Sequence, residues 1–233
     1  MAAVYGLVAA VSLLLGAGLG LVRRWSPRLV GIVLGFGAGA LVSSVSFELA
    51  EEGLRVGGAT PVAAGLAAGA VTFFVADRAV ERIGGRDGGQ GSGLPLALGA
   101  LLDGIPEQAV LGIGLAAGGG VSVALLVAVF VSNLPEAIGS SSDMAAAGSP
   151  PRRVLGLWAV VTSLCAVATV GGFAVADVVG SSGRAAIDGF AAGALLVMLV
   201  DSMIPEAKDK ARDVAGLATV VGFAVAAGLS ALS

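Results

Sequence analysis

The chain of 233 residues contains no histidine and a single cysteine, Cys165. The first absence removes the commonest side-chain general base and the commonest transition-metal ligand together. The second leaves no disulfide framework and no thiolate metal cluster within one chain. Charged residues amount to 12% and aromatics to 5%, whereas a soluble domain carries about 25% charged residues. A net charge of −3 provides no basic surface for nucleic acid. What fills the chain instead is apolar: 57% hydrophobic residues and 38 glycines, with a mean hydropathy of +0.98. So apolar a chain cannot remain solvated and disordered, and its abundance of Gly and Ala suits helices that approach closely in lipid. The composition reads as a polytopic membrane protein.

Hydrophobic runs long enough to cross a hydrocarbon core of about 30 Å fall near 2–22, 29–50, 60–80, 95–116, 120–146, 154–177, 184–206 and 212–232. This predicts an all-α membrane protein of eight transmembrane helices, forming one domain over 1–233. The first run has Arg23 and Arg24 behind it, whereas a secretory signal has its positive charges in front, so it reads as a retained span. Pro106, Pro135 and Pro205 interrupt runs four, five and seven, and the Gly-rich stretch from Glu81 to Gly93 reads as an unstructured linker. The connections after the odd-numbered runs hold Arg23, Arg24, Arg28, Arg78, Arg82, Arg86, Arg152, Arg153, Lys208, Lys210 and Arg212, against Arg55 and Arg184 on the other side. Basic residues favour the cytoplasmic face, which predicts both termini outside the cell membrane.

An internal echo links Gly35-Phe36-Gly37-Ala38-Gly39-Ala40-Leu41 to Gly189-Phe190-Ala191-Ala192-Gly193-Ala194-Leu195, and the same offset pairs Glu52 with Glu206. The two runs cross in opposite directions, which suggests an inverted-topology repeat. The alternative is that Gly/Ala-rich helices resemble one another by composition alone.

The informative residues are acids. Asp103, Glu107, Glu136 and Asp143 fall within runs four and five, while Glu48, Asp177, Asp188, Asp201 and Glu206 fall nearer run ends. An ionisable group at the bilayer centre costs about 2.5–3.5 kcal/mol on insertion scales and normally faces a cavity or a partner. No Lys or Arg lies deep in a run, so neutralisation must come from protons or a bound cation. Asp103 and Glu107 are four apart and share a helix face, as do Ser132 and Glu136, with Asn133 three before Glu136. Pro106 and Pro135 cannot donate to the carbonyls of Leu102 and Val131, which leaves those oxygens free beside the acids. Carboxylates, an amide, a hydroxyl and carbonyls together describe an oxygen-ligand cation site.

Asp103-Gly-Ile-Pro-Glu107-Gln-Ala-Val-Leu-Gly112 and Ser132-Asn-Leu-Pro-Glu136-Ala-Ile-Gly-Ser-Ser-Ser-Asp143-Met144 resemble the fourth and fifth helices of the ZIP family of divalent metal transporters. The segment 35–52 is similar to the family's second helix, and 201–207 to its seventh. The resemblance implies a 3+2+3 helix arrangement with an inverted repeat, a homodimer, and import of zinc, manganese or iron, the metal being the transported substrate and not a resident cofactor. It assigns the metal to Asp103, Glu107, Ser132, Asn133 and Glu136, with Glu48, Asp143, Asp201 and Glu206 along the pathway. Asp103 stands where the family usually has histidine, Gly104 replaces its asparagine, and run six offers no glutamate for a second metal position. Two other readings use the same acids: a proton-coupled carrier of another solute, and a metal-binding relative that does not transport. An intramembrane aspartyl protease would need a Gly-x-Gly-Asp motif that the chain does not contain.

Overall fold

The computed structural model describes the backbone of residues 2–86, 93–116 and 123–231, and every regular element among them is helical. The helices are α1 (Ala2–Val22), α2 (Pro27–Ser44), α3 (Glu52–Gly57), α4 (Ala59–Arg86), α5 (Gly93–Ala116), α6 (Val123–Ala146), α7 (Pro151–Val178), α8 (Ser181–Met198), α9 (Ile204–Ala211) and α10 (Ala215–Ser230). A π-helical turn, Val45–Glu51, joins α2 to α3, and a second, Leu199–Met203, joins α8 to α9.

Six stretches among the described residues are long and apolar enough to cross a membrane: Val4–Val22, Pro27–Gly57, Ala59–Val80, Val123–Ala146, Pro151–Ala176 and Ser181–Ser230. The expected eight differ from these in two places. Helix α5 is not among the six, and its described part carries Asp103, Glu107 and Gln108. Ser181–Ser230 is one continuous helical stretch, yet its direction reverses inside it, next to the charged segment Glu206–Asp213. Met203 reaches α2 at Gly37 and Ala211 at Gly31, whereas Ala215 lies against Gly35 and Thr219 against Gly39. Hence α9 runs antiparallel to α2 and α10 runs parallel to it, with the reversal at the 3₁₀ turn Arg212–Val214 and its positive φ of 51° at Arg212. A further correction concerns a boundary. Helix α4 continues to Arg86, so the front of the expected linker is helical, while residues 87–92 lie outside the described ones. Helices α5 and α6 run through Pro106 and Pro135, as the expected runs do.

Packing is governed by small residues. Helix α4 lies along α8, α10 along α2, α5 along α7, and α1 along α6 and α7. At the first two seams the backbones touch: a Cβ on Gly39 would overlap the Thr219 carbonyl, one on Gly222 the Phe36 carbonyl, one on Gly193 the Leu66 carbonyl, and one on Gly69 the Phe190 carbonyl. Lipid tails are as apolar as the helices, so dispersion contact at this range, and not hydrophobic expulsion, supplies the association. The larger core residues, among them Leu34, Leu41, Leu111, Val129, Leu195 and Met198, fill the centre around α2, α5, α6 and α8. A second cluster, with Leu13, Trp158 and Cys165, binds α1 to α7. The polar centre borders the first cluster through Leu34, Met198 and Met203.

Candidate functional site

Three helices bring carboxylates to one cavity of about 20 Å³, lined by Leu34, Asp103, Glu107, Glu136, Met198, Ser202, Met203 and Glu206. A space of this size holds a single water-sized particle. Asp103 and Glu107 come from α5, Glu136 from α6, Glu206 from α9 and Ser202 from the second π turn. The three glutamates each follow an Ile/Leu-Pro pair, as Ile105-Pro106-Glu107, Leu134-Pro135-Glu136 and Ile204-Pro205-Glu206. In α5 and α6 the proline lies mid-helix; in α9 it comes just after the π turn, within continuous helix.

Glu107 is buried, and the Ser132 hydroxyl lies 3.0 and 3.2 Å from its two oxygens and 3.0 Å from the Val129 carbonyl. One hydroxyl proton serves all three acceptors, so Glu107 keeps most of its lone pairs unsatisfied by protein donors. Its neighbour Gln108 points elsewhere. That side chain is fully buried and accepts a 2.8 Å hydrogen bond from the Thr169 hydroxyl, which ties α5 to α7 and fixes the face that Asp103 and Glu107 present. Among the described residues no three carboxylates stand close enough together to hold one ion as they are placed. They share a cavity without forming a finished coordination shell.

The other residues singled out in the sequence go to different places. Ser132 is one hydrogen bond behind the cavity wall. Asn133 is fully buried, but it is not among the lining residues, and neither its Oδ1 nor its Nδ2 has a hydrogen-bond partner. Glu48, on the first π turn, accepts a 3.3 Å hydrogen bond from the Ser230 hydroxyl of α10. Asp143 is exposed in the last turn of α6, and Asp201 is exposed in a groove between α4 and α8 with Leu66, Phe74 and Val200. Asp188 is buried against α3, close to Gly53, with its Oδ2 unpaired. The side chain of Asp177 lies outside the described residues.

Sequence reasoning placed Glu206 on the pathway, where the structure sets it in the cavity wall, and it missed Ser202, Met198, Met203 and Leu34. The third copy of the Ile/Leu-Pro-Glu triplet was a signal for Glu206. One acid of the wall has a basic partner that the sequence did not point to: Lys210 Nζ lies 2.7 Å from Glu206 Oε1.

No family model matches the chain. It is 31% identical over 205 residues to a protein of Arabidopsis thaliana named "putative zinc transporter", a match covering 83% of this chain. The chain spans about a third of that relative's length, 33% of which is aligned.

Proposed function

We propose that this chain forms the membrane-spanning part of a ZIP-type divalent-cation transporter, in which the cation is cargo and no enzymatic step occurs. The observation that carries the reading is the cavity itself. Asp103, Glu107, Glu136 and Glu206 line a space for one small particle, with the thioethers of Met198 and Met203 beside them, and four carboxylates around one space suit a cation. The relative's printed name points the same way. Ser202 adds a hydroxyl to the wall, and Ser132 orients Glu107 from behind.

In this reading eight helical crossings form a 3+2+3 bundle: α1, α2 with α3, and α4; then α5 and α6; then α7, α8 with α9, and α10. The antiparallel course of α2–α3 and α8 supports an inverted repeat, since Gly53 lies by Asp188 while Gly57, further along, lies by Ser181. Both termini face outward and cargo moves toward the arginine- and lysine-rich side. Cysteines at Ala147 and Ser182, exposed at opposite ends of α7's span, test the orientation in a Cys165→Ser background. An impermeant reagent on intact cells labels Ser182→Cys and spares Ala147→Cys; the reverse pattern overturns the orientation.

Function is tested by uptake into liposomes holding the purified protein, with Zn²⁺, Mn²⁺, Fe²⁺, Co²⁺ and Cd²⁺ in competition. Saturable uptake that is lost in Glu107→Gln supports metal transport. Stoichiometric binding without flux supports a non-transporting relative, and proton flux without metal supports a carrier of another solute.

A further inference from the structure

Resting on that reading, we propose that Lys210 is a tethered counter-cation: its ammonium holds Glu206 while the cavity is empty and gives it up when a divalent cation binds. The lysine then governs how tightly the cargo is held and how readily it leaves toward the basic side. Nothing in the sequence pattern alone marks it out, because it is one of several basic residues at the end of a run.

Its placement distinguishes it. Glu206 and Lys210 are one turn apart on α9, with the acid N-terminal, the order that favours an ion pair. Lysines are seldom buried, yet here the lysine side chain is 23% exposed, less than the 40% of its glutamate. Two glycines make room for it. A Cβ on Gly31 of α2 would come within 2.7 Å of the Lys210 Cβ, and one on Gly139 of α6 would lie 3.2 Å from Nζ. Gly139 is three residues beyond Glu136, about 4.5 Å further along α6. The ammonium therefore sits about one turn beyond Glu136 along α6, held on Glu206 of the cavity wall and not out among the other basic residues; Lys208 and Arg212 are exposed.

A group of carboxylates with no cation repels itself, and a fixed ammonium relieves part of that repulsion without leaving. A divalent ion that recruits Glu206 either displaces the ammonium from Oε1 or shares the carboxylate with a positive charge close by. Either effect weakens binding. On release the ammonium recaptures Glu206, so the empty state is favoured and the site does not trap its cargo.

The test compares wild type, Lys210→Gln and Lys210→Arg in liposomes with Zn²⁺ or Mn²⁺ alone, and measures binding of the same ions in detergent. Lys210→Gln should lower KM and the dissociation constant about fivefold or more and lower the maximal rate, because release becomes limiting. Lys210→Arg should stay close to wild type. In a Glu206→Gln background the effect of Lys210→Gln should shrink to the repulsion between ammonium and cargo alone, since the two residues are coupled. Were Lys210→Gln unable to fold, Gly139→Val replaces it. Among the described residues, no atom beyond α6's own backbone other than the ammonium lies within 4 Å of that Cβ, so the variant displaces the charge without removing it, and KM should again fall. A KM unchanged or raised in both variants, with wild-type uptake intact, overturns the role of Lys210 alone. A wild type that neither moves nor binds either ion overturns the transport reading and the lysine's role with it.

Discussion

The stretches α2–α3 and α8–α9 have one backbone plan and two different chemistries. Both begin with a Gly-Phe-x-Ala-Gly-Ala-Leu segment, and both pass into a π turn at equivalent points, Val45 and Leu199. Their partners also correspond. Gly35, Phe36 and Gly39 meet Ala215, Gly222 and Thr219 of α10, while Gly189, Phe190 and Gly193 meet Val62, Gly69 and Leu66 of α4. The order and spacing of these contacts are the same in both seams. After the π turns the likeness ends. Glu206 lines the central cavity and pairs with Lys210, whereas Glu52, at the equivalent place, pairs with Arg55, which is 74% exposed. Leu34 contributes an apolar wall to the cavity, whereas Asp188, its counterpart, is buried against α3. Backbone seams tolerate only small residues, so packing preserves them in both copies. The polar positions lie outside the seams and were free to diverge.

The largest expected effect separates the site from the scaffold. Glu107→Gln and Glu136→Gln should each reduce metal uptake by about 100-fold or more. Both proteins should still fold, because the change removes a buried charge instead of orphaning one. Thermal unfolding in detergent without metal should show each variant at least as stable as wild type. Wild-type uptake by either variant would move the site elsewhere.

The next effect tests the seams. Gly39→Ala and Gly193→Ala each force a Cβ into a backbone carbonyl that cannot yield, a strain of about 1–3 kcal/mol. The two losses should match within the scatter of the measurement, if the seams are equivalent. Gly18→Ala is the control. Nothing lies within 4 Å of its added Cβ, so helix propensity, worth up to ~1 kcal/mol, should raise stability. Unequal losses at Gly39 and Gly193 would mean that the two contacts differ in kind.

Much of this organisation was legible before the structure. Apolar runs located the helices, because backbone polar groups in lipid must be satisfied within a helix. The Ile/Leu-Pro-Glu triplets marked the acids of α5 and α6. The π turns were invisible, since one more residue per turn alters neither composition nor hydropathy. Glu206 was read as lying beside the site because Pro205, Lys208 and Lys210 look like the end of a run; α9 instead carries it inward, with Met203 against Gly37. Asn133 misled in the opposite way. It follows Ser132 directly, and one residue turns a helix by about 100°, which takes its amide off the face shared by Ser132 and Glu136. Glu81–Arg86 read as linker because Gly84 and Gly85 suggested a break, yet α4 continues through both.

A smaller effect concerns metal choice. Oxygen donors suit hard cations such as Mn²⁺, whereas imidazole favours Zn²⁺ and its neighbours. Asp103→His removes a negative charge from the cavity wall and adds a softer ligand, so zinc should gain on manganese by several-fold while affinity for manganese falls. Competition uptake or calorimetry with the two ions measures the ratio. An unchanged ratio would mean that Asp103 lines the cavity without touching the cargo.

The smallest expected effect is at the counterpart of the Lys210 pair. Arg55 lies beside Glu52 with 2.5 Å between Nη2 and Oε2, in good geometry, but the arginine is largely in solvent. Exposed pairs of this kind contribute about 0–1 kcal/mol, and salt screens them. Arg55→Gln should therefore change stability by under ~1 kcal/mol, less at high salt, and should leave the KM for metal within about twofold. The same chemical change at Lys210 should move KM several-fold, although both residues end the same repeated backbone plan. Measured side by side on one preparation, the two variants ask whether the asymmetry lies in the fold or in what each end faces. Equal shifts would mean that Arg55 also reaches the cargo and that the first half of the chain shares the binding of the cation. A shift at Lys210 alone would place control of the cargo at the α9 end, where a carboxylate of the cavity and a sheltered ammonium meet.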